Sequence, residues 1–120
     1  MESSISPTNS AEALTELWSP RVIAELDDSY VKVAKVLGTL GWHSHENEDE
    51  LFYVVKGSFE MEFSDKTVTV NAGEFLIVPK MVEHRPNAKE EVEVMLFEPA
   101  STLNTGNLIN EKTLTNLKNI

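Results

Sequence analysis

Three histidines occur in the 120 residues, and two of them are separated by a single position, His43-Ser44-His45. In extended backbone, residues i and i+2 project from one face, so both imidazoles can point into the same interior. Glu50 opens the following run, Glu50 to Lys56, and shares its parity with Phe52 and Val54. A carboxylate entering an otherwise apolar interior is costly unless a cation compensates it. His84 follows the buried-type run ending at Val78 and the turn-forming Pro79, so an adjacent strand can carry its ring to the same point. Three neutral imidazoles and one carboxylate suit one divalent transition-metal ion. Six-coordinate geometry around such an ion would leave two positions for water, dioxygen or a bidentate substrate. Manganese or iron is expected ahead of zinc or nickel, because a carboxylate among nitrogens tolerates the harder ions.

Short strands are the elements that must position these groups. Arg21 to Leu26 is one run, Asp27-Asp28-Ser29 turns the chain, and Tyr30 to Leu37 is a second run rich in β-branched residues. Glu50 to Lys56 is a third, and Gly57 separates it from Ser58 to Phe63, where Phe59, Met61 and Phe63 alternate with Glu60 and Glu62. Thr67 to Val70 alternates again, Glu74 to Val78 reads as buried, and Val92 to Glu98 follows a turn expected over Ala88 to Glu91. Strands at this spacing point to an antiparallel barrel or sandwich. Residues 1–20 read as a polar tail leading into a short helical turn over Ala11 to Trp18, with Asn9 and Glu12 at capping-box spacing. Residues 21–99 form the barrel. Residues 100–120 form a tail in which Leu108, Ile109, Leu114, Leu117 and Ile120 are spaced for a helix.

Composition narrows the function. Acidic residues outnumber basic ones 20 to 10 and the pI is near 4.6, so the surface repels phosphate backbones and anionic headgroups; neither nucleic acid nor membrane is an expected partner. No cysteine is present, which removes thiolate ligands, thiol nucleophiles and disulfides together. The segment Met1 to Ala11 lacks the basic and apolar regions of a secretory signal, and a cytoplasmic location is the default expectation.

These motifs resemble the cupin superfamily. Its first motif is matched by His43, His45, four residues, Glu50, six residues and Gly57; its second by Gly73, five residues, Pro79, four residues and His84, with Asn87 close behind. Met81 stands where the second motif has a glycine, and Gly38 and Gly41 lie five and two residues before His43, where the first motif has a glycine six before it. The resemblance spans about Val33 to Phe97. It implies a single conical antiparallel β-barrel (a jelly-roll-like double-stranded β-helix) with the metal at its wider end and a dimeric assembly. It is closest to the compact single-domain branch with sugar-isomerase-like names. Related cupins include oxalate-degrading manganese enzymes, iron dioxygenases and sugar isomerases.

The resemblance and the ligand set together imply an enzyme acting on a small oxygen-rich molecule, a carboxylate, enediol or hydroxy-ketone, by oxidation, decarboxylation or isomerisation. The alternative is a metal-dependent module that binds or senses a small molecule without turnover. With all three histidines given to the metal, the remaining acid–base candidates are Tyr53, Glu60, Glu62 and Glu83. Arg85 and Lys80 flank the last ligand, although strand alternation points Arg85 away from His84. Leu51, Tyr53 and Val55, with Phe75 and Ile77, put apolar groups on the second face of their strands. That pattern predicts a homodimer through the outer sheet, with exchange of the Arg21 to Leu26 strand as a further way to protect an edge.

Overall fold

The computed structural model describes residues 3–102 and 118–119. Its elements are α1 (Pro7–Glu12), β1 (Arg21–Leu26), β2 (Ser29–Thr39), β3 (Glu50–Lys56), β4 (Ser58–Phe63), β5 (Thr67–Asn71), β6 (Phe75–Val78), β7 (His84–Pro99) and β8 (Lys118–Asn119). The expected runs become strands at or within two residues of their bounds, except Val92 to Glu98, whose strand begins at His84. In β3, burial alternates residue by residue from Glu50, placing Glu50, Phe52 and Val54 inside. The fold is the expected single antiparallel β-barrel.

Strand β7 holds the barrel together. Its first residues, His84 to Asn87, pair with β4, while Glu93 to Phe97 pair with β3, and β2 runs along its other edge. The turn expected over Ala88 to Glu91 is absent. The excess residues are absorbed as bulges, where register with β2 shifts between Val36 and Gly38 and register with β3 between Val54 and Lys56. A bulge bends a strand without ending it, which lets β7 serve both sheets. Gly57 belongs to the same place. It has φ 92°, and a Cβ there would stand 3.3 Å from the Glu91 carbonyl oxygen, so the β3–β4 corner closes only around a glycine.

Two helical expectations are corrected. The N-terminal helix is α1, earlier than the expected Ala11 to Trp18, because Ser6 rather than Asn9 caps it. The Ser6 hydroxyl accepts the Asn9 N–H at 3.1 Å, and Pro7 sits where no donor is needed. The chain then leaves helical geometry for β2: Leu17 forms an isolated bridge with Lys35, and Trp18, at φ 57°, donates its N–H to the Lys35 carbonyl at 2.8 Å. In the C-terminal tail, Lys118 and Asn119 form β8, a parallel strand against Arg21 and Val22 of β1, where a helix was expected. Leu108, Ile109, Leu114, Leu117 and Ile120 lie outside the described residues. Strand β1 pairs with β2 of its own chain.

The core fills the barrel with Val36, Phe52, Val54, Phe59, Met61 and Val94 among others. Met61 is fully buried, and truncating it to alanine is worth about 2–5 kcal/mol on the scale of buried aliphatic side chains. A smaller cluster lies outside the barrel, where Ala11 and Leu14 cover Val33 with Ile23 and Met95 beside them. This contact covers only part of the outer sheet: Phe75 is 61% and Ile77 51% exposed, so Phe75 is not the core residue its type suggests. Among the described residues no helix is long and apolar enough to cross a membrane.

Candidate metal centre

Four side chains from three segments converge inside the barrel. His43 and His84 are opposite each other in an isolated antiparallel bridge, His43 donating to the His84 carbonyl at 3.1 Å and His84 to the His43 carbonyl at 2.9 Å. Their rings lie 4.3 Å apart, centroid to centroid. The carbonyl of His45 accepts the Met81 N–H, and Asp49 accepts the Lys80 N–H at 2.8 Å, so the loop before β3 is tied at two points to the turn before β7. Glu50, the first residue of β3, pairs with Val78 and points inward. Possible donor atoms of His43, His45, Glu50 and His84 all lie within 4.8 Å of one another, and all four residues are buried. The structure brings together every ligand expected from the motifs.

The hydrogen bonds around the rings orient them. The Nδ1 of His43 lies 2.7 Å from the Gly41 carbonyl and that of His84 2.9 Å from the Val82 carbonyl. A carbonyl can only accept, so each ring carries its proton on Nδ1 and presents the Nε2 lone pair to the centre. There the buried atoms have no hydrogen-bond partner: His45 Nε2, His84 Nε2 and Glu50 Oε1 are all orphaned, although His45 Nε2 lies 2.7 Å from Glu50 Oε1. Buried polar atoms that converge on one point with no further partner fit a cation. Burial holds the His43 imidazole down to about 4 from 6.5, helped by the neighbouring histidines and opposed by the Gly41 carbonyl and Glu50. It is therefore neutral and ready to ligate across the physiological range.

A second carboxyl, missed at the level of the sequence, stands behind Glu50. Glu98 of β7 is within hydrogen-bonding reach of Glu50, and its Oε1 accepts from Lys32 Nζ of β2 at 2.8 Å. Its Oε2 is buried and unpartnered. Burial pushes the Glu98 carboxyl well above the usual range, and the nearby Glu50 charge pushes it further, against the pull of Lys32. Burial would raise Glu50 too, but its polar contacts with Glu98, His45 and His84 outweigh that and keep it ionised. The signal was present in the strand parity: Val92, Val94 and Leu96 share the inner face with Glu98, as Ala34 and Val36 do with Lys32.

A cavity of about 50 Å³ opens beside the cluster, lined by His43, Glu50 and Glu98 and otherwise by apolar groups, including Phe52, Phe59 and Val94 of the barrel and Trp18 of the N-terminal segment. Two larger surface depressions, of about 430 and 520 Å³, include none of the four clustered residues.

None of the four acid–base candidates lines this cavity. Glu62 is held by Arg85 at 2.6 Å and Asn87 at 2.9 Å, and Arg85 and then Asn87 lower its carboxyl below the usual range. Arg85 points away from the centre, as alternation requires, and stacks on Trp42 with its guanidinium carbon 4.9 Å from the ring centroid. Tyr53 is on the outer sheet across from Phe75 and Met95, while Glu60 and Glu83 border the larger depressions.

Comparison with known proteins identifies the family and the fold. Residues 30–98, more than half of the chain, match the family described as Cupin domain. The Bacillus subtilis (strain 168) protein YdbB is 39% identical over 64 residues; the match covers 52% of this chain and 57% of that one, so this chain spans little more than half of its relative's length. The crystal structure of a cupin-2 domain containing protein from Shewanella frigidimarina superposes with a TM-score of 0.77 at 43% identity, covering 79% of this chain and 93% of that one. Protein NMB1881 of Neisseria meningitidis superposes with a TM-score of 0.74 at 30% identity, over 82% of this chain and all of the other (100%).

Proposed function

The chain belongs to the cupin domain family, and from that premise we propose that it is a metal-dependent enzyme acting on a small oxygen-rich molecule, by oxidation, decarboxylation or isomerisation. The observation that carries this reading is the set of buried, unpartnered donor atoms of His43, His45, Glu50 and His84 gathered within 4.8 Å. Bound there, a divalent ion, with manganese or iron ahead of zinc or nickel, supplies Lewis-acid or redox chemistry.

The protein's own groups do the rest. The carbonyls of Gly41 and Val82 fix the tautomers of His43 and His84. Apolar walls line the rest of the cavity. Glu98, which lines that cavity beside Glu50, takes the place of the four outward residues as the carboxyl placed to hold a proton beside a bound molecule. Its tie to Lys32 also serves the second reading, a module that binds without turnover, since Glu98 is then a fixed hydrogen-bonding group. We also propose a homodimer through the exposed apolar part of the outer sheet.

Metal analysis of protein purified without chelator, followed by equilibrium dialysis of wild type and His84→Ala, tests the site. About one ion per chain and an affinity at least about 100-fold weaker in the variant are expected. Unchanged metal content in His84→Ala would rule the assignment out. Dioxygen-uptake and carbon-dioxide-release assays with small acids and hydroxy-ketones then separate enzyme from binding module.

A further inference from the structure

The polar groups on the cavity are contiguous. His43 and Glu50 belong to one cluster, Glu98 touches Glu50, and these three are the polar residues of the lining. Every other lining residue is apolar, and Trp18, Val36, Leu40, Phe59 and Val94 contribute no charged group and no hydroxyl. The Trp18 indole has one N–H to donate, and it goes to the Leu37 carbonyl at 3.0 Å. A polyhydroxylated molecule placed here would bury hydroxyls against carbon, at a cost for each unpartnered group.

We propose that the ligand is a short monoanion with two chelating oxygens at one end and an unsubstituted hydrocarbon body, the body seated against Trp18. The inference rests on the metal reading of the cluster and narrows it to a ligand class. Charge favours an anion: Glu50 cancels only one of the two positive charges of a divalent ion, and the Lys32 ammonium is already taken up by Glu98 at 2.8 Å. Size fits a short body. The cavity of about 50 Å³ holds roughly three to five water-sized groups at ~10–15 Å³ each. Trp18 is positioned for this role by its own backbone: φ is 57°, its N–H bonds the Lys35 carbonyl at 2.8 Å, and its side chain packs against the barrel core. A segment with the composition of a polar leader thereby supplies a wall of the site.

The chain has two tryptophans, and Trp42 stacks on Arg85. In Trp42→Phe the remaining fluorescence therefore reports Trp18 alone. Zinc-loaded Trp42→Phe, checked for retained zinc by equilibrium dialysis, is titrated with pyruvate, 2-oxobutanoate, 2-oxopentanoate and 3-hydroxypyruvate. The expected result is a Trp18 signal that saturates, with Kd falling about 10-fold from pyruvate to 2-oxopentanoate, as two buried methylenes require, and with 3-hydroxypyruvate weaker than 2-oxobutanoate. Ala34→Val narrows the cavity and should abolish the gain for 2-oxopentanoate, with zinc retention of the variant checked by the same dialysis. Trp18→Phe, read by calorimetry, should keep most of that gain, and Trp18→Ala should lose it. Retained zinc with a flat series, or a preference for 3-hydroxypyruvate, overturns the ligand class alone. Failure to retain zinc overturns the metal reading and this inference with it.

Discussion

His43 and His84 are joined through their backbones before any metal is considered: each donates its N–H to the other's carbonyl, at 3.1 and 2.9 Å, while their rings stand 4.3 Å apart. The main chain therefore fixes the spacing of two ligands, and either side chain can be replaced without losing the bridge. This separates the folding of the barrel from the chemistry of the site.

The burial of His43 makes the metal-free protein acid-sensitive in a defined window. Its pKa is about 4 in the folded chain against 6.5 when free, so on acidification the unfolded chain takes up the proton first. The contribution is whole above pH 6.5 and is lost as pH falls towards 4, a change of ~3 kcal/mol. Glu98 is shifted upward, so its contribution is present at low pH and is lost as pH rises above the ordinary carboxylate range. The two act with opposite sign, and total stability does not isolate either. Urea denaturation in EDTA of wild type and His43→Gln does: the wild-type advantage should shrink steadily from pH 7 to pH 4.5. Parallel pH profiles would contradict it.

Lys32 and Glu98 form a pair 2.8 Å apart with side chains 1% and 2% exposed. Removing one partner of a buried pair leaves an uncompensated charge, at a typical cost of 3–5 kcal/mol. Lys32→Met is expected at the lower end, about 3 kcal/mol, because burial already favours the protonated form of Glu98. The double variant Lys32→Met with Glu98→Gln should recover much of the loss. Denaturation curves that show simple additivity would mean the two residues are not energetically coupled.

Met81 is a residue of the wrong type for its backbone. It has φ 68°, its side chain is 71% exposed, and its N–H is bonded to the His45 carbonyl. A Cβ in the left-handed region costs roughly 1–2 kcal/mol, and so exposed a side chain returns little burial. Met81→Gly should therefore stabilise the protein by about 1 kcal/mol after the entropy cost of glycine, whereas Met81→Ala should not. Melting temperatures of the three proteins decide it, and a lower value for the glycine variant would show that Met81 is not strained.

The sequence spoke most clearly where periodicity and chemistry coincided. Strand β3 is legible because Glu50, Phe52 and Val54 alternate with Leu51, Tyr53 and Val55, and the four clustered residues are legible from their types and spacing. Glu98 was missed because it lies at the end of a strand, where a carboxylate usually meets solvent; only the pairing of β2 with β7 brings Lys32 beside it. The continuity of β7 was hidden because Lys89, Glu90 and Glu91 have the composition of a turn, and a bulge leaves no periodic trace. Trp18 looked like the end of a helix; its contact with Lys35 across the β2 backbone is non-local and prevails over weak helical propensity.

The outer sheet supplies the last prediction. Phe75 and Ile77 of β6 are 61% and 51% exposed, and their cross-strand neighbours on β3 are Tyr53 and Leu51. Among the described residues α1 packs over Val33 and Met95 and reaches β3, where Leu51 and Tyr53 are half-buried, while Phe75 and Ile77 stay exposed. Strand β6 is also an edge, since β3 is its one pairing partner among the described strands. An apolar face next to an open edge favours a two-fold arrangement in which the same surface of a second copy is buried. Phe75→Glu with Ile77→Lys should abolish that association and leave metal binding intact, because both side chains lie on the face opposite Leu76 and Val78. Sedimentation equilibrium at micromolar concentrations should give twice the chain mass of 13.4 kDa for wild type and 13.4 kDa for the variant. A wild-type mass of 13.4 kDa across that range would exclude the dimer.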